Sequence, residues 1–208
     1  MHTSHININD TISICHYSGI SPYKSIVLDV GSDFLVVKLA KDFAVMNFQQ
    51  GDPVIFGIDN MGDMLIFGCN ITKIRTKEDI IEFSIDKLEP GAENRQVERY
   101  PVSMCADVRT KNDNKKHLAA IKDMSYYGML VYSKLDIPPN ENIEVDIYMD
   151  KSMIFLKAVV NRKTQTPYHF EYGLGIKYED SSSLNYMKDY IKRLRQEQVE
   201  VIRKNKQR

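Results

Sequence analysis

The 208-residue sequence has only three cysteines, Cys15, Cys69 and Cys105, and no two of them stand at C-x-x-C spacing. An odd number so widely scattered suggests neither a disulfide framework nor a zinc cluster, and it fits a reducing compartment. Of the five histidines, His2, His5, His16, His117 and His169, only His2 and His5 stand at H-x-x-H spacing and none at H-E-x-x-H, so no metal site is expected. No apolar run approaches the roughly 20 residues of a membrane-spanning helix, and His2-Thr3-Ser4-His5 does not open a secretory signal. Also lacking are a phosphate-binding P-loop, a G-x-S-x-G elbow and a dinucleotide fingerprint: Gly173-Leu174-Gly175 has neither the third glycine nor a following helix. The expectation is a cytoplasmic, non-catalytic protein with no integral membrane segment and no resident cofactor.

Charge of one sign is lacking overall, with 28 Lys+Arg against 28 Asp+Glu, but the balance is uneven along the chain. Residues 1–90 carry 7 basic and 12 acidic side chains, and residues 91–208 carry 21 and 16, giving net charges of −5 and +5. Such a field suits an anionic ligand held in or near the second part. A basic tail supplies much of that excess, and with no aromatic residues interleaved in it nucleic acid is not an expected partner.

What the sequence does have is β pattern nearly throughout, and 43% apolar content suffices for two modest cores. Lys24–Val30 and Phe34–Leu39 flank Gly31-Ser32, read as a two-residue hairpin loop. Gly51-Asp52-Pro53 turns into Val54–Ile58, and Asp59-Asn60-Met61-Gly62 leads to Met64–Cys69 and on to Ile80–Ile85. Short strands between turn signals imply a small barrel or sandwich. Glu89-Pro90-Gly91-Ala92 breaks the pattern and sets the expected boundary of a first domain, residues 1–90. A second set follows: Val102–Arg109, Lys116–Lys122, Gly128–Ser133, Ile143–Met149, Ile154–Thr164 and His169–Tyr178. Within it, Asp136-Ile137-Pro138-Pro139-Asn140-Glu141 is a turn. From Ser181 the period changes, because Leu184, Met187, Ile191 and Leu194 recur at three- and four-residue steps. An amphipathic helix is expected there, with Ser181, Ser182 and Ser183 as cap candidates and fraying beyond Gln196. It would lie on the second barrel or serve a dimer or another partner.

Two motifs carry functional information. Arg95 and Arg99 form an R-x-x-x-R pair, and Asp123-Met124-Ser125-Tyr126-Tyr127-Gly128 forms D-x-S-x-x-G about two dozen residues later. In this order, and between strand-like segments, they resemble the PilZ domain, the bacterial receptor module for cyclic di-GMP. Val159-Val160-Asn161-Arg162 and Gly173-Leu174-Gly175-Ile176-Lys177-Tyr178 match the late strands of that family. Residues 1–90 are similar to the N-terminal domain that accompanies PilZ in flagellar brake proteins, a PilZ-like split barrel without the ligand motifs. The matching features there are the hairpin at Gly31, the Gly51-Asp52 turn and the late strand.

The resemblance implies an all-β chain of two small barrels, an N-terminal split barrel over 1–90 and a six-stranded PilZ barrel within 91–180, with the helix and basic tail over 181–208. It implies Arg95, Arg99, Asp123, Ser125, Gly128 and Arg162 as the ligand-binding residues, and the chemistry agrees. A guanidinium fork matches both the O6 and N7 acceptors of guanine and the phosphate oxygens. A carboxylate complements guanine's donor edge, a hydroxyl donates or accepts, and glycine admits a tight turn with positive φ and a close ligand. Asn94 stands where many relatives carry a further arginine, and Glu98 puts a negative charge beside Arg99; the ligand would bind singly or as an intercalated pair. The implied mechanism is ordering of the Arg95–Arg99 segment and a change of interdomain orientation, with output to the flagellar motor or to surface polysaccharide. A split-barrel flavin oxidoreductase and a PilZ-like adaptor without nucleotide affinity stand as alternatives.

Overall fold

The structure is a computed structural model that describes residues 6–19, 21–40, 44–60, 63–86, 97–111, 113–148 and 153–206. Its contacts divide the chain into two compact units, Met1–Asn94 with Gln196–Arg208, and Arg95–Arg195. The Glu89–Ala92 break and Arg95 lie outside the described residues.

The first unit holds β1 (Thr11–His16), β2 (Tyr23–Val30), β3 (Phe34–Leu39), β4 (Pro53–Asn60), β5 (Asp63–Arg75) and β6 (Ile80–Ile85). They close into an antiparallel barrel in the order β1-β2-β3-β6-β5-β4, with Ile14 of β1 opposite Phe56 of β4. Closure leaves no unpaired edge. Alternate residues point inward, and Ile14, Val27, Leu35, Val37, Phe56, Ile71, Ile81 and Phe83 fill the interior. Burial of each such side chain contributes about 1.5–3 kcal/mol.

β1 is a strand the sequence reading passes over, although Ile12 and Ile14 alternate within it. Its end is fastened by His16. Nε2 of that ring lies 3.1 Å from Asp52 Oδ2, and Nδ1 lies 2.6 Å from Ser18 Oγ. Asp52 also accepts from the Tyr17 hydroxyl at 3.0 Å and from the Gln49 N–H at 2.8 Å. Gly51, with φ of 87°, makes the bend beside it. The β2–β3 connection is three residues, Gly31-Ser32-Asp33, not the expected two, and the Gly31 N–H closes it on Phe34 O at 3.0 Å.

The second unit holds β7 (Tyr100–Thr110), β8 (Asp113–Met124), β9 (Gly128–Ser133), β10 (Asn142–Tyr148), β11 (Met153–Gln165) and β12 (Phe170–Lys177), closed as β10-β11-β12-β9-β8-β7. Val102, Ala106, Val108, Ile121, Met124, Met129, Val131, Val145, Val160, Tyr172 and Leu174 form its core. Tyr172 pins the proline-rich connection by donating to Leu135 O at 2.6 Å and accepting from the Ile137 N–H at 2.9 Å.

Helix α1 (Ser181–Lys206) follows. Its cap is Asp180, whose Oδ1 accepts from the Ser183 N–H at 2.7 Å, in place of the expected serines. Met187, Tyr190 and Ile191 join the core of the second barrel, and Leu194 packs at its margin. The helix continues ten residues past the expected fraying point at Gln196. No glycine or proline interrupts Gln196–Lys206, and strong helix formers dominate it. Among the described residues no helix is long and apolar enough to cross a membrane.

Candidate functional site

The site is built by two β-bulges. Between β8 and β9 the register shifts between Ile121 and Asp123, and between β11 and β12 it shifts between Val160 and Arg162. Each shift inserts one residue, so two consecutive side chains face outward where a regular strand would send one inward. Lys122 and Asp123 are the first such pair, Asn161 and Arg162 the second. Inside the barrel, Met124, Met129, Leu174 and Val160 form a buried row of neighbours. The matching outer row runs Pro101, Asp123, Leu130, Gly173, Arg162 across β7, β8, β9, β12 and β11.

Three glycines floor this outer face. Gly128 pairs with Gly175, and Gly173 lies between Leu130 and Arg162. A Cβ on Gly173 would stand 3.4 Å from Arg162 Cβ and 3.8 Å from its Nε, so the arginine lies over the glycine. A Cβ on Gly175 would stand 2.7 Å from Asn161 Nδ2, which covers that residue in the same way. Gly128 answers to a different constraint from the one expected. Its φ is not in the left-handed region; a Cβ there would stand 2.6 Å from the backbone oxygen of Leu174. Close approach of β9 to β12 is what requires glycine.

Arg99, just before β7, donates from Nη1 to Asp123 Oδ1 at 3.0 Å, joining one member of each sequence motif. Their side chains are 30% and 22% exposed, so both remain within reach of a ligand. Ser125 is buried; its N–H and hydroxyl both donate to Gly128 O, at 2.8 and 3.2 Å, and close the turn. Its lone pairs remain as acceptors. The turn is anchored to the end of β12: the Ile176 N–H donates to Tyr127 O at 2.9 Å, and the Tyr178 hydroxyl donates to Tyr126 O. Burial pushes that hydroxyl up to about 12. Tyr126 packs against the core and Tyr127 is exposed beside Gly128.

The structure therefore brings Arg99, Asp123, Ser125, Gly128 and Arg162 to one outer face of the second barrel. Sequence reasoning missed Lys122, Asn161 and Glu171 on that face. A bulge is visible only in the register, and Glu171 carries no motif. Among the described residues no group of three His, Cys, Asp or Glu is arranged to hold a metal ion.

No curated protein matches the chain. Among solved structures it is similar to the Bacillus subtilis inhibitor of motility MotI/DgrA, at 14% identity over 93% of this chain and 99% of that one, with TM-score 0.41. It is similar to Escherichia coli YcgR in complex with c-di-GMP, at 12% identity over 95% and 88% with TM-score 0.45. It is likewise similar to the MrkH–c-di-GMP complex of K. pneumonia, at 13% identity over 92% and 90% with TM-score 0.45. These likenesses are remote, and assignment rests on a closer match. Residues 93–194 match the PilZ domain, so the second barrel with most of its helix is a PilZ domain.

Proposed function

We propose that the chain is a cyclic di-GMP receptor whose ligand lies on the glycine-floored outer face of the second barrel. One observation carries the reading. In a PilZ domain, both sequence motifs meet in the Arg99–Asp123 contact, beside a glycine floor bordered by the side chains of Arg162, Asn161 and Val159. Arg99 and Arg162 would grip phosphate or the O6/N7 edge of guanine. Asp123 and the Ser125 lone pairs would meet donor groups, and Gly128, Gly173 and Gly175 would let the bases lie against the backbone. Arg95 would add a third cation from the segment that precedes β7.

Titration calorimetry with cyclic di-GMP tests this directly. Binding well ahead of GMP, GTP and cyclic AMP is expected, because only the dinucleotide offers two guanines and two phosphates. Full-strength binding by Arg95→Ala, Arg99→Ala would remove the site from this face.

The output follows from where the arginines stand in the chain. Both precede β7 directly, so a ligand that recruits them orders the joining segment and biases the orientation of the two barrels. The similarity of residues 1–90 to the flagellar brake type points to motility control in the cytoplasm, through a protein partner such as the motor. Hydrogen exchange should show protection rising on ligand addition in residues 91–101 and around Asp123–Gly128. Unchanged exchange, together with unchanged small-angle scattering, would leave a rigid binding platform.

A further inference from the structure

One polar cluster on the same face is used by neither motif. Glu171 sits on the outer side of β12, two residues from Gly173 and opposite Tyr132 of β9. Strand geometry puts it about 6.6 Å along the face from the glycine floor, the reach of a single base. Three groups converge on its carboxylate. His169 Nε2 lies 3.8 Å from Oε1, the Tyr132 hydroxyl bonds to it, and the Lys122 charge acts on it from the β8 bulge. The cluster is preorganised: the Tyr132 and His169 rings stack at 4.0 Å, and Lys122 Nζ stands 5.8 Å from the Tyr132 ring centroid. His169 and Tyr132 are nearly buried, whereas 24% of the Glu171 side chain stays open. His169 first, then Tyr132 and Lys122, hold this carboxyl below the usual carboxylate range against the opposing effect of burial. Three neighbours do not exhaust the four lone-pair positions of a carboxylate, and Glu171 stands on the strand that carries Gly173 and Gly175.

Asp123, the carboxylate the motif supplies, already accepts from Arg99 at 3.0 Å. Guanine presents N1–H and the exocyclic N2 amine side by side, a pair of donors that one ionised carboxylate accepts together. We propose that Glu171 is a second carboxylate of the ligand site, accepting from N1–H and the N2 amine of a guanine laid on the Gly173–Gly175 floor. Tyr132, His169 and Lys122 are then positioning residues that aim it and keep it charged. This rests on the cyclic di-GMP reading above and adds to it the residue that tells guanine from other purines.

The test is calorimetry on the whole protein with two ligands, cyclic di-GMP and its inosine counterpart, which keeps N1–H and lacks the N2 amine. Wild-type protein should prefer the guanine ligand. Glu171→Gln should weaken that ligand about ten- to hundredfold, as for loss of one hydrogen bond to a charged group, and the inosine ligand less, so the preference narrows. Tyr132→Phe removes one support but leaves the carboxylate, so it should lower affinity less and keep the preference. Equal losses for both ligands in Glu171→Gln, or no loss, would overturn the proposal and leave Glu171 a structural residue. A wild-type protein that binds neither ligand sinks the receptor reading and this proposal with it. A wild-type binder whose preference survives Glu171→Gln sinks only this one.

Discussion

The two barrels of this chain run the same circuit. Each strand of the first has its counterpart six strands later, from the β1–β4 closure matched by β7–β10 to the β3–β6 pair matched by β9–β12. Even the irregularities coincide. The bulge at Leu28, between Val27 and Asp29, matches the one at Lys122, and the bulge at Thr72, between Ile71 and Lys73, matches the one at Asn161. Both barrels close their β-turn with an N–H to the carbonyl three residues on, Gly31 to Phe34 in one and Ser125 to Gly128 in the other. An aspartate even occupies the same place, Asp29 beside Asp123.

What differs is the floor. Register carries Gly128, Gly173 and Gly175 onto Phe34, Glu82 and Ser84 of the first barrel. The Phe34 ring folds over Gly31, where a Cβ would stand 2.1 Å from it. Glu82 pairs with Arg75 and lies 3.9 Å from Lys73, the residue at Arg162's position. The same backbone thus carries a face of paired, bulky side chains in one copy and a glycine-floored one in the other. Fold and bulges are common to both copies; the three glycines and the arginine lead of the second are what the proposed site adds.

The sharpest way to break this comparison is to give the second barrel the first barrel's floor. Gly173→Glu with Gly175→Ser should reduce cyclic di-GMP affinity on the order of a hundredfold, since forcing atoms into a close contact costs up to ~3 kcal/mol. Retained affinity would show that the ligand does not lie on the glycines. Gly128→Val comes next and acts on the fold. The atom its Cβ would strike is the Leu174 backbone oxygen at 2.6 Å, which cannot rotate away. A loss of about 1–3 kcal/mol in unfolding free energy is expected by chemical denaturation. An unchanged midpoint would mean that β9 and β12 part without cost.

Arg99→Ala ranks third and separates binding from stability. Affinity should fall about tenfold, the loss of one charge-assisted bond, while stability changes by less than about 1 kcal/mol because the Asp123 pair is partly exposed. A large drop in melting temperature would recast Arg99 as a structural residue.

The order of these effects also shows what was legible in the sequence. Periodicity carried most strands because one face of each is buried; Phe34–Leu39, Ile80–Ile85 and Gly128–Ser133 were readable to the residue. The order and spacing of the two motifs singled out Arg99 and Asp123, and the structure joins these two in a hydrogen bond. Gly128 was readable as a necessary glycine, but not for its reason, since turn chemistry suggests positive φ while the actual constraint is a carbonyl 46 residues away in sequence. Lys122, Asn161 and the glycine floor lay hidden because a bulge moves a side chain from one face to the other without altering composition. Similarly, the cap at Asp180 hides behind three serines that are equally good cap residues.

The smallest effect runs in the opposite direction. Phe34→Gly restores to the first barrel the glycine that its partner has at Gly128. If a single glycine sufficed, calorimetry would then report a second ligand site. None is expected, because Glu82 and Ser84 still occupy the other two floor positions and Glu82 neutralises Lys73 and Arg75. Nor is the fold much affected. Phe34 is 40% exposed and contributes only part of a buried aromatic, so the change should lower stability by about 1 kcal/mol, to which the added backbone freedom of glycine contributes. An increase in binding stoichiometry would show that the first barrel holds a latent site behind one phenylalanine, and that the filled floor is a gate. An unchanged stoichiometry with a small loss of stability leaves the three glycines acting together as the difference between the two copies.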